Sequence, residues 1–465
     1  MTDFSALIAP DRGEAAHSIH LVDKDGFAGW AKGRSAGHRS LLKAMRFDGK
    51  ASGSFAILPG ARDGEFEVVA AVAELDALTP WCLARLAQEL PEGRYRLANG
   101  EAGLAALGWL LGQHRFDRYR TKSGDERGLR ILLTKDAAGI ARNVSLAEGT
   151  ALVRDLVDTP AADMGPADLE VATEALAKEF GAKIEVTRGD ALDQGYPLIA
   201  AVGNGASRER APRLIELHWG KQDAPLVAIV GKGVCFDSGG LDIKPASGMR
   251  LMKKDMGGAA HALALARLVM ATKLPIRLHV LIPAVENSIS ATAFRPGDIV
   301  ASRKGLTVEI DNTDAEGRLV LGDALTRAAE AKPELVIDFA TLTGAARVAL
   351  GPDLPALFAN DDTLAADLES AARTVGDPLW RMPLWDGYAD MLKSDLADIA
   401  NASDSPFAGS VTAALFLKRF VDEFTPWAHF DTFAWRPAAK PGRPKGGEAL
   451  GLRATFAMLE ARFAR

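Results

Sequence analysis

Apolar positions follow two regimes along this chain. Up to about residue 140, short apolar stretches at 66–72, 95–97 and 129–133 are interleaved with Ala- and Leu-rich segments of helical spacing at 83–90 and 101–111. This mixture predicts a small α/β domain. Residues 144–158, VSLAEGTALVRDLVD, then repeat apolar groups at helical spacing and stop at Thr159-Pro160. Proline disfavours the helical conformation for the residue before it, so a helix should end there. The expected division is an N-terminal domain over 1–142, a connecting helix over 143–159 and a second domain over 160–465.

Beyond that helix the pattern becomes regular. Continuous β-rich runs at 226–230, 276–282 and 335–339 alternate with long helical stretches at 259–271, 319–331 and 412–421. Strands that are apolar throughout, alternating with helices, predict a mostly parallel sheet buried between helices. In such sheets ligands bind outside the carboxyl ends of the strands, which directs attention to the loops there. The basic Pro/Gly segment 436–447, RPAAKPGRPKGG, reads as solvated surface, and no internal repeat is visible.

Composition narrows the function. At 465 residues the chain exceeds what one hydrophobic core supports, and 48% hydrophobic with 25% charged residues is the balance of a compact globular protein. A net charge of -6 gives no basic footprint for nucleic acid, leaving small molecules or peptides as partners. Cys82 and Cys235 are the only cysteines, too few for a disulfide framework or a thiolate metal site. No apolar run reaches the roughly 18 residues needed to cross a bilayer, and the N-terminus carries no apolar leader core. A cytoplasmic protein without a membrane segment is expected.

Three loops after apparent strands combine charged residues with glycines: VGKGVCFDSGGLDIKP at 230–245, MKKDMGGAA at 252–260 and DNTDAEGRL at 311–319. They contribute Lys232, Asp237, Lys244, Asp255, Asp314, Glu316 and Arg318. Four carboxylates converging on one crevice repel each other unless cations sit among them. Oxygen-rich ligation suits Mg, Mn or Zn, and carboxylates can bridge two ions about 3.5 to 4 Å apart.

These motifs carry a resemblance. From about residue 150 to the end, DLVDTPA, VGKGVCFDSGG, IKP, KKDMGGAA, NTDAEGRL and ATLTGA stand in the order found in the leucine aminopeptidase (cytosol aminopeptidase) family. NTDAEGRL is the most specific of them. The resemblance implies two divalent ions per subunit, zinc or manganese, held by Lys232, Asp237, Asp255, Asp314 and Glu316. Asp237 and Glu316 would bridge the ions, Lys232 and Asp255 would complete one and Asp314 the other. Lys232 must then be neutral, because an ammonium has no lone pair, and adjacent dications depress its pKa.

The same resemblance makes Lys244 and Arg318 the catalytic pair. Lys244 would stabilise the developing oxyanion, and Arg318 would hold a bicarbonate ion acting as general base. Met252, Thr341 and Gly344 match positions lining the first side-chain pocket, whose apolar character favours leucine-like residues. The implied reaction is hydrolysis of the N-terminal peptide bond by a water held between the ions. Coordination of the substrate's neutral α-amine by one ion would explain a requirement for a free N-terminus. Family members commonly form hexamers of two stacked trimers, with the N-terminal domain away from the active sites.

Two other readings compete. DNTDAEGRLVLGD also parses as a calcium loop with Asn312, Asp314, Glu316, Gly317 and Asp323 in register, although Val320 occupies a ligand position and the preceding LTVEI reads as strand. The chain could also be a non-catalytic member of the same fold, which loss of a ligand would betray, yet all seven charged positions are filled. Other hydrolase signatures, H-E-x-x-H and G-x-S-x-G, are missing, as is a P-loop. His429 in WAHFD reads as a packed structural residue.

Overall fold

The computed structural model describes residues 2–121 and 128–464. Contacts divide the chain into two compact units, Met1–Ala151 with Ala438–Pro444, and Leu152–Pro437 with Lys445–Arg465. The division falls inside one helix, Gly139–Asp158, which ends just before Thr159-Pro160 as the sequence predicts.

In the first unit six strands, β1 (Ile8–Pro10), β2 (His17–Val22), β3 (Phe55–Pro59), β4 (Phe66–Ala71), β5 (Gly93–Leu97) and β6 (Arg130–Thr134), form one sheet in the order β1-β6-β5-β2-β4-β3. Every pairing is parallel except β3 with β4. The helix Ala105–Leu111 is buried along its whole length, and its Trp109 Nε1 donates to Arg130 O at 3.0 Å. The segment read as solvated surface is only partly so. Within this unit Gly442 is buried, and the Arg443 guanidinium lies 4.5 Å from the centre of the Trp81 ring, which shields the loop's apolar underside. At its other end, in the second unit, Arg436 is buried and paired with Asp353 and Glu448.

The second unit contains β7 (Lys183–Arg188), β8 (Arg213–Trp219), β9 (Leu226–Gly231), β10 (Gly233–Asp237), β11 (Arg277–Asn287), β12 (Ile299–Ala301), β13 (Thr307–Glu309), β14 (Leu335–Ala340), β15 (Ala356–Ala359), β16 (Trp380–Arg381), β17 (Ile399–Ala400) and β18 (Trp427–Asp431). The main sheet runs β16-β15-β18-β14-β9-β11-β8-β7, with β10 added beside β11. Its centre, β11-β9-β14-β18, is parallel, and antiparallel pairings appear toward both edges. β9, β14 and β18 are buried at every position, and β9 and β14 are accordingly two of the β-rich runs visible in the sequence. The helices Gly257–Ala271 and Glu316–Glu330 pack against this centre.

The parallel register aligns the strand ends. Phe339 lies opposite Gly231, Asp431 opposite Ala340, and Asp237 opposite Asn287. Lys232, Thr341 and Asp237 therefore emerge along one rim of the sheet, where an open α/β fold presents its ligand crevice. His429 is the packed residue that the sequence suggests: its Nδ1 lies 2.6 Å from Asp338 Oδ1, and Trp427 Nε1 donates to the other oxygen at 2.7 Å.

Candidate functional site

At that rim lies a cavity of about 430 Å³. Its lining includes Lys232, Asp237, Lys244, Asp255, Asp314 and Glu316, together with Met252, Thr341 and Gly344. Nine of the ten site positions singled out in the sequence thus meet in one place. The tenth, Arg318, does not line the cavity; it is buried behind it and donates from Nη1 to Asn401 O at 2.7 Å.

Local sequence explains the placement. Lys232 follows directly on β9, and its backbone N–H donates to Phe339 O on the neighbouring strand. Asp237 ends β10, and the chain then turns at Gly239 with φ +88°, where a side chain would collide with Asp242 O. Gly239 N donates back to Asp237 Oδ1 at 2.9 Å. Glu316 opens the helix Glu316–Glu330, and glycine at the next position lets Lys232 approach, since a Cβ on Gly317 would stand 2.6 Å from Lys232 Nζ and displace it.

The carboxylates crowd together. Ligand oxygens of Asp237, Asp255 and Glu316 lie within 4.8 Å of one another, and all three residues are buried. Lys232 Nζ sits 2.6 Å from Asp255 Oδ2 and 2.9 Å from Glu316 Oε1, and donates to Thr341 O at 3.2 Å. Lys244 Nζ bridges Asp237, at 2.8 Å, and Asp314. Lys254 adds an ammonium 3.7 Å from Asp255 Oδ1.

The electrostatics record the strain of this crowding. Burial, and then the Asp237 charge, push the Glu316 carboxyl up to about 8 in spite of Lys232. The same two causes raise Asp314 to about 6. Burial opposes the charge on Lys232, but Asp255, Glu316 and Asp237 outweigh it and hold the ammonium above its ordinary range. These carboxylates favour the ammonium form of Lys232, which has to lose its proton before it can act as a ligand. Burial lowers Arg318 to about 10.

Glu316 Oε2 is buried and has no hydrogen-bond partner. An orphaned carboxylate oxygen is costly in a low-dielectric interior unless a cation takes it. The donor set, hard oxygens with one amine, fits a divalent ion such as manganese or zinc.

Several residues that organise the site were not singled out in the sequence. Asn287 Nδ2 donates to Asp237 Oδ1 at 2.9 Å and to Thr313 O at 3.1 Å. Asp431 accepts from Leu342 N, Thr343 N and Thr343 Oγ1, fixing the turn that carries Thr341 and Gly344. Thr341, expected as pocket wall, also donates from Oγ1 to Asp255 Oδ1 at 2.7 Å. The only sequence signal of Asn287 and Asp431 is position, since each lies at the carboxyl end of a strand. The calcium-loop reading fails: Asp323 turns away into the helix and accepts from Leu198 N and Arg303 N.

A buried cluster of acids and lysines at the carboxyl rim of an open α/β sheet defines a metal-dependent hydrolase. Known proteins agree. Residues 151–456 match the model of the cytosol aminopeptidase family, catalytic domain, and residues 18–132 match that of the M17 aminopeptidase N-terminal domain. The chain belongs to the cytosol aminopeptidase (M17) family and is a metallo-aminopeptidase by descent.

A probable cytosol aminopeptidase of Syntrophotalea carbinolica is 42% identical over 76% of this chain and 73% of its own length. That of Roseiflexus castenholzii is 44% identical over 74% of this chain and 73% of its own. The crystal structure of the cytosol aminopeptidase from Coxiella burnetii superimposes with a TM-score of 0.92 at 46% identity, covering 98% of this chain and 99% of that one. The bottromycin maturation enzyme BotP, in complex with Mn, gives 0.86 at 32% identity, covering 96% and 100%. Among the described residues no helix is long and apolar enough to cross a membrane.

Proposed function

We propose that this chain removes the N-terminal residue from peptides with a free α-amino group, using two divalent ions, zinc or manganese. The observation that carries the reading is the buried, unpartnered Glu316 Oε2 among carboxylates that only cations can reconcile. Asp237 and Glu316 are assigned to both ions, Lys232 and Asp255 to one and Asp314 to the other. Bound there, the ions would supply Lewis acidity and would lower the pKa of water enough to make hydroxide available near neutral pH.

The remaining tasks fall to the protein. Lys244, already aimed into the cavity by Asp237 and Asp314, stabilises the negative charge that develops on the carbonyl oxygen. Asn287 and Thr341 fix the oxygens of Asp237 and Asp255 by hydrogen bonds, so the ligands need little reorganisation. Arg318, whose buried Nε has no hydrogen-bond partner among the described residues, is assigned as the residue that would hold a bicarbonate ion, which would supply a general base. Met252, Thr341 and Gly344 line the cavity as the wall of the first side-chain pocket and favour leucine-like residues.

The N-terminal unit is assigned an accessory role. A hexamer is part of the same reading, and it rests on the family resemblance. So is a cytoplasmic location, supported by the name that the relatives carry.

Treatment with a chelator should abolish hydrolysis of a leucine anilide, and manganese or zinc should restore it. Acetylating the substrate's α-amine should prevent cleavage. Full turnover after verified removal of metal, or efficient cleavage of the acetylated substrate, overturns the reading.

A further inference from the structure

The wall of the cavity is not uniformly apolar. Arg347 follows Gly344 by one helical turn in the helix Gly344–Leu350, so the two share a face, and both line the cavity. Its guanidinium carbon lies 4.9 Å from the centre of the Phe433 ring, itself part of the lining. Lys254 Nζ lies 5.3 Å from the same ring. Two cations are therefore gathered on one aromatic side chain, a few residues along the chain from Met252 and Gly344.

Neither cation is used by the hydrolysis described above, and among the described residues Arg347 has no ion pair. The nearby lining carboxylate, Asp431, is spent on Leu342 N, Thr343 N and the Thr343 hydroxyl. A guanidinium packed on an aromatic ring keeps its N–H edge free, and that edge matches a carboxylate in two-point geometry. Charge balance points the same way. Two dications and a charged Lys244 would balance the five lining carboxylates, Asp237, Asp255, Asp314, Glu316 and Asp431, so Arg347 and Lys254 add positive charge that the lining does not offset, even with Lys254 Nζ 3.7 Å from Asp255 Oδ1.

We propose that Arg347, with Lys254 beside the same Phe433 ring, makes the first side-chain pocket select acidic N-terminal residues over their neutral isosteres. Arg347 is a specificity residue for glutamyl and aspartyl peptides, while the Met252 side still admits leucine. The inference rests on the aminopeptidase reading and names a substrate class within it.

The test compares kcat/KM for Glu and Gln anilides, which have nearly the same shape and differ in charge, on the manganese-loaded enzyme, with the leucine anilide as reference. The wild-type Glu/Gln ratio should exceed one by about tenfold, the worth of one charge-assisted hydrogen bond. It should shrink as salt is raised. Arg347→Ala should bring the ratio to about one, and Arg347→Lys should restore part of it. Arg347 is exposed, so these variants should fold. Leucine turnover with a wild-type ratio at or below one, or a ratio unmoved in Arg347→Ala, overturns this inference alone. No turnover of any free-amine substrate overturns the aminopeptidase reading and this inference with it.

Discussion

Two groups of ionisable side chains on or beside the same sheet each have the makings of a metal site and differ in what they are ready to bind. One is the cavity cluster of Asp237, Asp255 and Glu316; the other is Glu216 and His218 on β8 with His279 on β11. Each offers three ligand atoms within 4.8 Å. In the second group, however, Glu216 is already served: His279 Nε2 lies 2.6 Å from Oε2, and Arg327 Nε lies 3.4 Å from Oε1. His218 and His279 stack with ring centres 4.5 Å apart, and Lys183, Arg277 and Arg327 line the space beside them. The cavity cluster instead leaves Glu316 Oε2 orphaned and holds its three carboxylates against each other. Readiness for a metal lies in unsatisfied oxygens, not in the kinds of residue assembled.

Charge-removing substitutions should break the comparison most sharply. Glu316→Gln should cut turnover by about 10³-fold, as expected if several kcal/mol of metal-borne stabilisation is lost, and should lower metal content. Glu216→Gln should leave metal content and turnover per folded molecule unchanged while costing about 1 to 3 kcal/mol of stability, the range for disturbing a buried hydrogen-bonded group. Metal analysis beside a denaturant titration separates the two. Loss of metal from Glu216→Gln would erase the distinction drawn here.

The same contrast explains what could be read from the chain. Buried parallel strands such as β9 and β14 show as continuous apolar runs, and acid–glycine loops announce themselves at their ends, so the catalytic fold and the set from Lys232 to Glu316 were legible. Asn287 was not, because its contact with Asp237 comes from the register of β10 against β11, fifty residues apart in sequence. The pull of the carboxylates on the Lys232 pKa was equally hidden, since it depends on how closely Asp255 and Glu316 approach. In the loop 436–447, Pro, Gly and Lys hid the burial of Arg436, which arises from Asp353 and Glu448 and not from local hydropathy.

Within the cavity, Lys244 and the ligands should also part. Lys244→Ala removes a charge that is not assigned to the metals, so it should retain both ions and lose about 10²- to 10³-fold in kcat, the range for a group stabilising developing negative charge. Metal loss comparable to that of Glu316→Gln would make Lys244 a structural member of the cluster, and an unchanged kcat would remove it from the chemistry.

The smallest effect belongs to the satisfied cluster and depends on pH. Burial, then the neighbouring His279, hold His218 below its ordinary pKa. Its folded-state value is therefore below its unfolded one, so the fold binds a proton there less readily than the open chain does. The stability this confers is fully present above the unfolded value of about 6.5 and is lost as pH falls through the lower folded value. His218→Gln removes the titrating group. Wild type should consequently lose stability relative to His218→Gln as pH is lowered below about 6.5, with the difference between them constant above that pH. Denaturant midpoints measured across that window decide it. Parallel curves for the two proteins would mean that His218 titrates as freely folded as unfolded, and that its stacking on His279 does not constrain its charge.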